Sequence, residues 1–181
     1  VYSRLGELRK AKKAKPDMIV GVIGCMAERD HKGIQTRAPH VDLLCGPGNL
    51  NQIPGLIAEV ESTRQRAIAL ERDHSRKTDA ARRTLLYDSI EALDQSRMPE
   101  AISRSGQAYV RVQRGCDKFC TFCVVPFTRG PERSRAPGHI VEEVRKLADL
   151  GTREITLLGQ TVNSYSYEEN GRTVRFAELL E

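Results

Sequence analysis

The sequence predicts an α/β fold: the C-terminal part of a small doubly wound α/β domain, then the first βαβ portion of a (β/α) partial barrel. Three observations carry this. Short β-branched apolar runs alternate with helix-length segments over residues 18–60, the pattern of a parallel sheet wrapped by helices. The same alternation resumes over residues 108–160. Between the two, periodicity dissolves into a polar stretch rich in Arg, Ser and Asp. The expected organisation is a first domain over 1–62, an interdomain connection over 63–105 and a second domain over 106–181.

Residues 3–14 suit a short helix, with Leu5, Leu8 and Ala11 at near-helical spacing and a basic opposite face, ended by Pro16 and Asp17. M-I-V-G-V-I-G (18–24) has the composition of a buried parallel strand. It delivers Cys25 to the strand's C-terminal end, where open α/β sheets place their chemistry. Residues 26–37 read as a helix, V-D-L-L-C (41–45) as a second strand, and G-P-G-N (46–49) as a turn with Asn49 as N-cap. Ile53 to Val60 forms the next helix. In the connection, only L-L-Y-D (85–88) offers an anchor, as one extended strand. A-Y-V-R-V-Q-R (108–114) alternates like a strand, and Pro137 and Gly138 introduce a helix with Ile140, Val141, Val144, Leu147 and Ala148 on one face. E-I-T-L-L-G-Q (154–160) closes the βαβ unit. The loop after its first strand is the place where (β/α) barrels carry reactive groups.

Composition narrows the function classes. No apolar run approaches the ~20 residues needed to cross a bilayer, so no membrane role is expected. The opening V-Y-S-R-L-G-E-L-R-K lacks the basic-then-apolar layout of a signal peptide, and a cytoplasmic location is expected. There, clustered cysteines favour metal or redox chemistry over disulfides. The net charge of +5 is concentrated. Residues 1–15 hold Arg4, Arg9, Lys10, Lys12, Lys13 and Lys15 against Glu7, and a second basic run spans Arg64 to Arg83. A third surrounds the cysteines: Arg111, Arg114, Lys118, Arg129, Arg133 and Arg135. The first two runs read equally well as solvated faces; the third, on a chemically loaded loop, suits a phosphate or carboxylate partner.

Three of the five cysteines, Cys116, Cys120 and Cys123, fall within G-C-D-K-F-C-T-F-C (115–123). Zinc needs four protein ligands in a structural site, and the nearest histidines, His74 and His139, are not at knuckle spacing. A redox pair of Cys120 and Cys123 would leave Cys116 superfluous, and three buried cysteines without metal are the bland alternative. The remaining reading is a [4Fe–4S] cluster on three thiolates, with one iron left open for a substrate or cofactor.

The C-x3-C-x2-C spacing, with Phe122 just before the last cysteine, resembles the cluster motif of radical S-adenosylmethionine (SAM) enzymes. The resemblance implies that SAM chelates the open iron and that electron transfer cleaves it to methionine and a 5′-deoxyadenosyl radical. It also implies that Phe122 lies near the adenine, or else is a packing aromatic. V-Q-R-G-C-D-K-F-C-T-F-C-V-V-P-F-T-R-G-P-E-R-S-R and L-L-G-Q-T-V-N (157–163) resemble the methylthiotransferase branch. There Gly159 and Gln160 would sit on the rim beside SAM, and Arg129 and Arg135 would either hold its carboxylate or brace the loop. G-C-M-A-E-R (24–29) resembles the third cysteine motif of that branch's N-terminal domain, which makes Cys25 a ligand of an auxiliary [4Fe–4S] cluster. The family's two earlier ligand cysteines find no match here, and Cys45, inside an apolar strand, reads as core. The expectation is an internal fragment, truncated upstream of those cysteines and before the barrel closes or a TRAM domain begins, and inactive by itself.

Within the branch, V-P-F-T-R-G-P-E-R-S-R and L-L-G-Q-T-V-N look most like the MiaB type, which methylthiolates C2 of isopentenyl-adenosine beside the tRNA anticodon. The alternatives are the type acting on threonylcarbamoyl-adenosine and the type acting on a ribosomal-protein aspartate. The resemblance implies two [4Fe–4S] clusters, SAM used both as methyl donor and as radical source, a tRNA anticodon stem-loop as partner, flavodoxin or ferredoxin as electron donor, and a monomer. Basic loops agree with an RNA partner, because phosphate neutralisation supplies much of such affinity. A rival from another class is an RNA-binding module whose cysteines hold a structural metal.

Overall fold

The computed structural model describes residues 1–71, Glu91, Leu93, Asp94 and residues 106–181. The chain divides into two compact units, Val1–Ile90 and Glu91–Glu181. Among the described residues, no helix is long and apolar enough to cross a membrane.

The first unit is a parallel three-stranded sheet, β1 (Gly21–Ile23), β2 (Leu43–Cys45) and β3 (Ala67–Ala69), in sequence order. Gly21 pairs with Leu43, and Leu43 in turn with Ala67. Alternation along β2 sends Leu44 to one face and Leu43 and Cys45 to the other. On the Leu44 face pack α1 (Tyr2–Ala14) through Leu5, α2 (Cys25–Arg29) through Ala27 and α3 (His31–Arg37) through Ile34. On the other face, α4 (Ile53–Thr63) supplies Leu56 and Val60. Helices on both faces make the unit doubly wound, as predicted. Ile34 and Leu44 are fully buried, and each such side chain contributes about 1.5–3 kcal/mol.

Three expectations change here. The single helix over 26–37 is broken at Asp30, which leaves helical geometry (φ −119°, ψ 31°). Its carboxylate accepts a 2.6 Å bond from the Tyr2 hydroxyl and lies over Gly33, where a Cβ would stand 2.2 Å from Oδ1. A short polar side chain that finds partners off the helix axis competes with helix continuation. Asn49 makes no side-chain cap; its Oδ1 instead accepts from Gln52 Nε2 at 3.0 Å, at the start of a 3₁₀ turn (Leu50–Gln52). The connection expected from residue 63 starts too early, because Ala67–Ala69 completes the sheet. That strand is three residues long inside a basic run, too short to show a period, and it is seated by Arg66 donating to Val41 O (2.8 Å) and Pro39 O (2.9 Å). The expected anchor at 85–88 lies outside the described residues.

The second unit is built on a parallel pair, β4 (Gln107–Arg111) and β7 (Glu154–Leu158), joined over one face by α6 (Pro137–Asp149). Ala108, Val110 and Val112 alternate inward to meet Ile140 and Leu147. The strand expected over 108–114 divides at Val112: Gln113–Arg114 forms β5, which pairs antiparallel with β6 (Arg133–Ser134). That ribbon brackets the cysteine loop, inside which lies the short helix α5 (Val125–Arg129). Beyond β7 come a 3₁₀ turn (Val162–Ser164), a hairpin of β8 (Ser166–Glu169) and β9 (Arg172–Arg175), and α7 (Phe176–Leu179). The hairpin turns through Asn170 and Gly171, both at positive φ, as an Asn-Gly two-residue loop requires.

Candidate functional site

Because β4 and β7 run parallel, the cysteine loop after β4 and the G-Q-T-V-N segment after β7 leave the same end of the sheet. The loop begins at a tight neck. Gly115 has φ +75°, and a Cβ there would lie 2.0 Å from Pro131 O and 2.6 Å from Gly130 O, so only glycine fits. Cys116 N–H donates to Gly130 O (3.2 Å), and Glu132 N–H to Asp117 Oδ2 (3.2 Å). Residues 116–130 thus form a loop closed at its base.

Inside it, Phe119 adopts φ +48°, an uncommon conformation for a bulky residue, and meets Phe127 edge-on at 5.8 Å. Cys123 N–H donates to Cys120 O (2.9 Å), folding the last two cysteines into a turn. Cys116 is buried, Cys123 half-buried and Cys120 exposed. Phe122 is 96% exposed, so it is not the packing aromatic of a core. Among the described residues, no three Cys, His, Asp or Glu side chains already converge as a metal-binding group. The donor set nevertheless suits iron: three reduced thiols on one short closed loop, the soft ligands that iron–sulfur clusters take.

Gly159 and Gln160 follow β7 directly, and Gln160 is exposed. A Cβ on Gly159 would stand 3.2 Å from Gln113 Cβ and 3.3 Å from Gln113 Oε1, so this glycine makes room for a buried glutamine. Gln113 Nε2 donates to the Glu132 carboxylate, which also meets the Ser164 hydroxyl. Thr161 Oγ1 lies 3.9 Å from Cys116 Sγ. Neither Gln113 nor Thr161 is marked by periodicity; a polar residue just after the inward-facing Val110 and Val112 was the available signal.

Arg129 is exposed at the end of α5. Arg135 is not: its side chain is fully buried. Its guanidinium donates to Glu91 Oε2 (2.7 Å) and Oε1 (2.6 Å), to Glu143 Oε2 (2.7 Å) and to Arg111 O (2.6 Å). Burial alone would favour the neutral form, but the Glu91 and Glu143 carboxylates outweigh it and hold Arg135 firmly protonated. Of the two roles expected for Arg135, this geometry is that of a brace: its donors face protein acceptors, and its backbone carbonyl accepts from the Tyr165 hydroxyl (2.7 Å). Arg111 joins the cluster through Asp94, with Nε at 2.9 Å from Oδ2. Neither Glu91 nor Asp94 was legible in the sequence.

In the first unit, Cys25 opens α2 immediately after β1 and Gly24 (φ +99°), at the C-terminal end of the parallel strand where the sequence expected it. Cys45 is fully buried and its thiol donates to Asn49 O (3.3 Å). Burial, with the Glu28 carboxylate behind it, pushes that thiol up to about 11, the mark of an inert core cysteine.

Residues 110–178 match the radical SAM superfamily, and residues 1–46 match the uncharacterized protein family UPF0004. The second unit therefore carries the radical SAM fold. Over 99% of its length the chain is 48% identical to a protein of Rhodopirellula baltica named tRNA-2-methylthio-N(6)-dimethylallyladenosine synthase, covering 37% of that protein. It is 41% identical over 99% of its length to the Alcanivorax borkumensis protein of the same name, and 41% identical over all of it to that of Moorella thermoacetica, again covering 37% of each. The chain spans a little over a third of the length of those relatives.

Proposed function

We propose that this chain is part of an enzyme that adds a methylthio group to C2 of isopentenyl-adenosine beside the tRNA anticodon. The observation that carries the proposal is the closed, three-thiol loop at the end of β4, in a chain whose relatives bear that synthase name over its whole length. Cys116, Cys120 and Cys123 would hold one [4Fe–4S] cluster, and Cys25 would be one ligand of a second. When bound, the first cluster and SAM supply the radical chemistry, and the chain's own residues position and shield it. Phe122, exposed beside Cys123, offers an unhindered ring face for the adenine. Gly159 and Gln160 leave the sheet on the same side as the loop and suit the rim of the SAM site. Arg129 is the exposed cation available to a carboxylate, while Arg135 braces the loop's return strand from inside. Lys118 and Arg129, both exposed on the loop, suit an RNA phosphate backbone. A cytoplasmic, monomeric enzyme reduced by flavodoxin or ferredoxin completes the proposal.

The test is anaerobic reconstitution of the full-length protein followed by iron analysis. Two four-iron clusters predict about eight irons per chain, falling to about four when Cys116, Cys120 and Cys123 are replaced by Ala. Unchanged iron content would reject the ligand assignment. For the substrate, nucleosides of tRNA from a strain lacking the gene should have lost the methylthio-isopentenyl form; its persistence assigns the enzyme to another target.

A further inference from the structure

The turn after β7 reaches back to the cysteine loop at one atom. Thr161 Oγ1 lies 3.9 Å from Cys116 Sγ, within the longer reach of a sulfur hydrogen bond. Cys116 is the one buried cysteine of the three, so water competes least for its sulfur. The position of Thr161 is set from several sides. Its carbonyl accepts from Ser164 N–H (2.9 Å) and lies 2.7 Å from the Ser164 hydroxyl. Ser164 in turn meets the Glu132 carboxylate, which is held by Gln113 across the gap that Gly159 leaves open. Tyr165, buried beside them, donates its hydroxyl to Arg135 O. The end of β7 is thereby tied to the ribbon at the neck of the loop.

We infer that Thr161 is a positioning residue that donates a hydrogen bond to the Cys116 sulfur and thereby raises the reduction potential of the cluster. The inference rests on Cys116 being a cluster ligand, as proposed above. An iron-bound thiolate has no proton, so between these two groups only the hydroxyl can donate. Reduction takes one electron from the external donor and breaks no bond; it adds negative charge that is shared by the cluster sulfurs. A donor aimed at one of them favours the reduced form, one of the levers by which proteins set such potentials.

The experiment compares Thr161→Val, which keeps the branched shape and removes the hydroxyl, with Thr161→Ser, which keeps the hydroxyl. Both are made in the full-length, reconstituted enzyme, and the loop cluster is followed by redox titration and the EPR signal of the reduced form. Thr161→Val should shift the oxidised-to-reduced ratio at a fixed applied potential toward oxidised by roughly threefold to tenfold, tenfold being about 59 mV for one electron. Thr161→Ser should stay near the unmodified protein. A Thr161→Val cluster that titrates with the unmodified one overturns the inference, as does equal loss of iron in both variants, which would assign Thr161 to packing. Absence of the signal in the unmodified protein would instead sink the ligand assignment on which the inference stands.

Discussion

Replacing Arg135 by Met tests whether the buried charge cluster organises the second unit. The side chain has no exposure, and its partners Glu91 and Glu143 are each 7% exposed, so the substitution strands two carboxylates in a site that water scarcely reaches. Removing one partner of a buried pair costs about 3–5 kcal/mol. Glu91 keeps two weaker contacts, Arg111 Nη2 at 4.0 Å and His139 Nδ1 at 3.4 Å, which places the expected loss near the lower end, about 3 kcal/mol. With a urea slope of about 2 kcal/mol/M, the unfolding midpoint should fall by about 1.5 M. Arg135→Lys keeps the charge but not the bidentate fork, and should lose less, about 1–2 kcal/mol. Adding Glu91→Gln to Arg135→Met removes one stranded charge and should recover part of the loss. A midpoint within about 0.3 M of the unmodified protein, or a double variant no better than Arg135→Met, would refute the reasoning, because either result means the carboxylates are solvated at no cost.

Two further substitutions probe the site and the core. Gly115→Ala places a Cβ 2.0 Å from the Pro131 carbonyl at a φ of +75°, so the neck must open; the expected result is a large drop in iron retained by the loop after reconstitution, and full iron occupancy would contradict the neck's role. Cys45 reports through pH: its thiol is raised from 9.0 to about 11 in the folded chain, so the folded state holds that proton more tightly than the unfolded one. The associated stability is complete below about pH 9 and is lost as pH rises toward 11, by about 3 kcal/mol for two units. Denaturant unfolding of the first unit between pH 8 and 11 should show this fall, and Cys45→Ala should flatten it; parallel curves would count against a protonated core thiol.

What the sequence revealed follows from range. Elements with several turns or a full alternation were legible: α6 with Ile140, Val144 and Leu147 on one face, and β4 with Ala108 and Val110 inward. The positions of the cysteines relative to the strands were legible as well, three of them after β4 and Cys25 after β1. The elements that escaped are short and held by distant partners. β3 is an Ala-Ile-Ala strand that exists because β2 offers it an edge, and β5 and β6 are two residues each. The break at Asp30 depends on Tyr2, twenty-eight positions away. Arg135 was expected either to hold SAM's carboxylate or to brace the loop, and its burial depends on Glu91, forty-four positions earlier, and on Glu143. No local pattern encodes such a meeting.

The neck at Gly115 makes the cysteine loop a tethered segment. Backbone contacts to Gly130 and Pro131 close the loop at its base, and β5 with β6 seals it from the sheet. The core beneath, Val110, Val112, Ile140 and Leu147, shares no side chain with the three thiols. The cysteine loop and the β4–β7 scaffold therefore rest on separate sets of contacts. Because the loop's two ends are already joined, re-ordering it costs only the short-loop entropy within the tether.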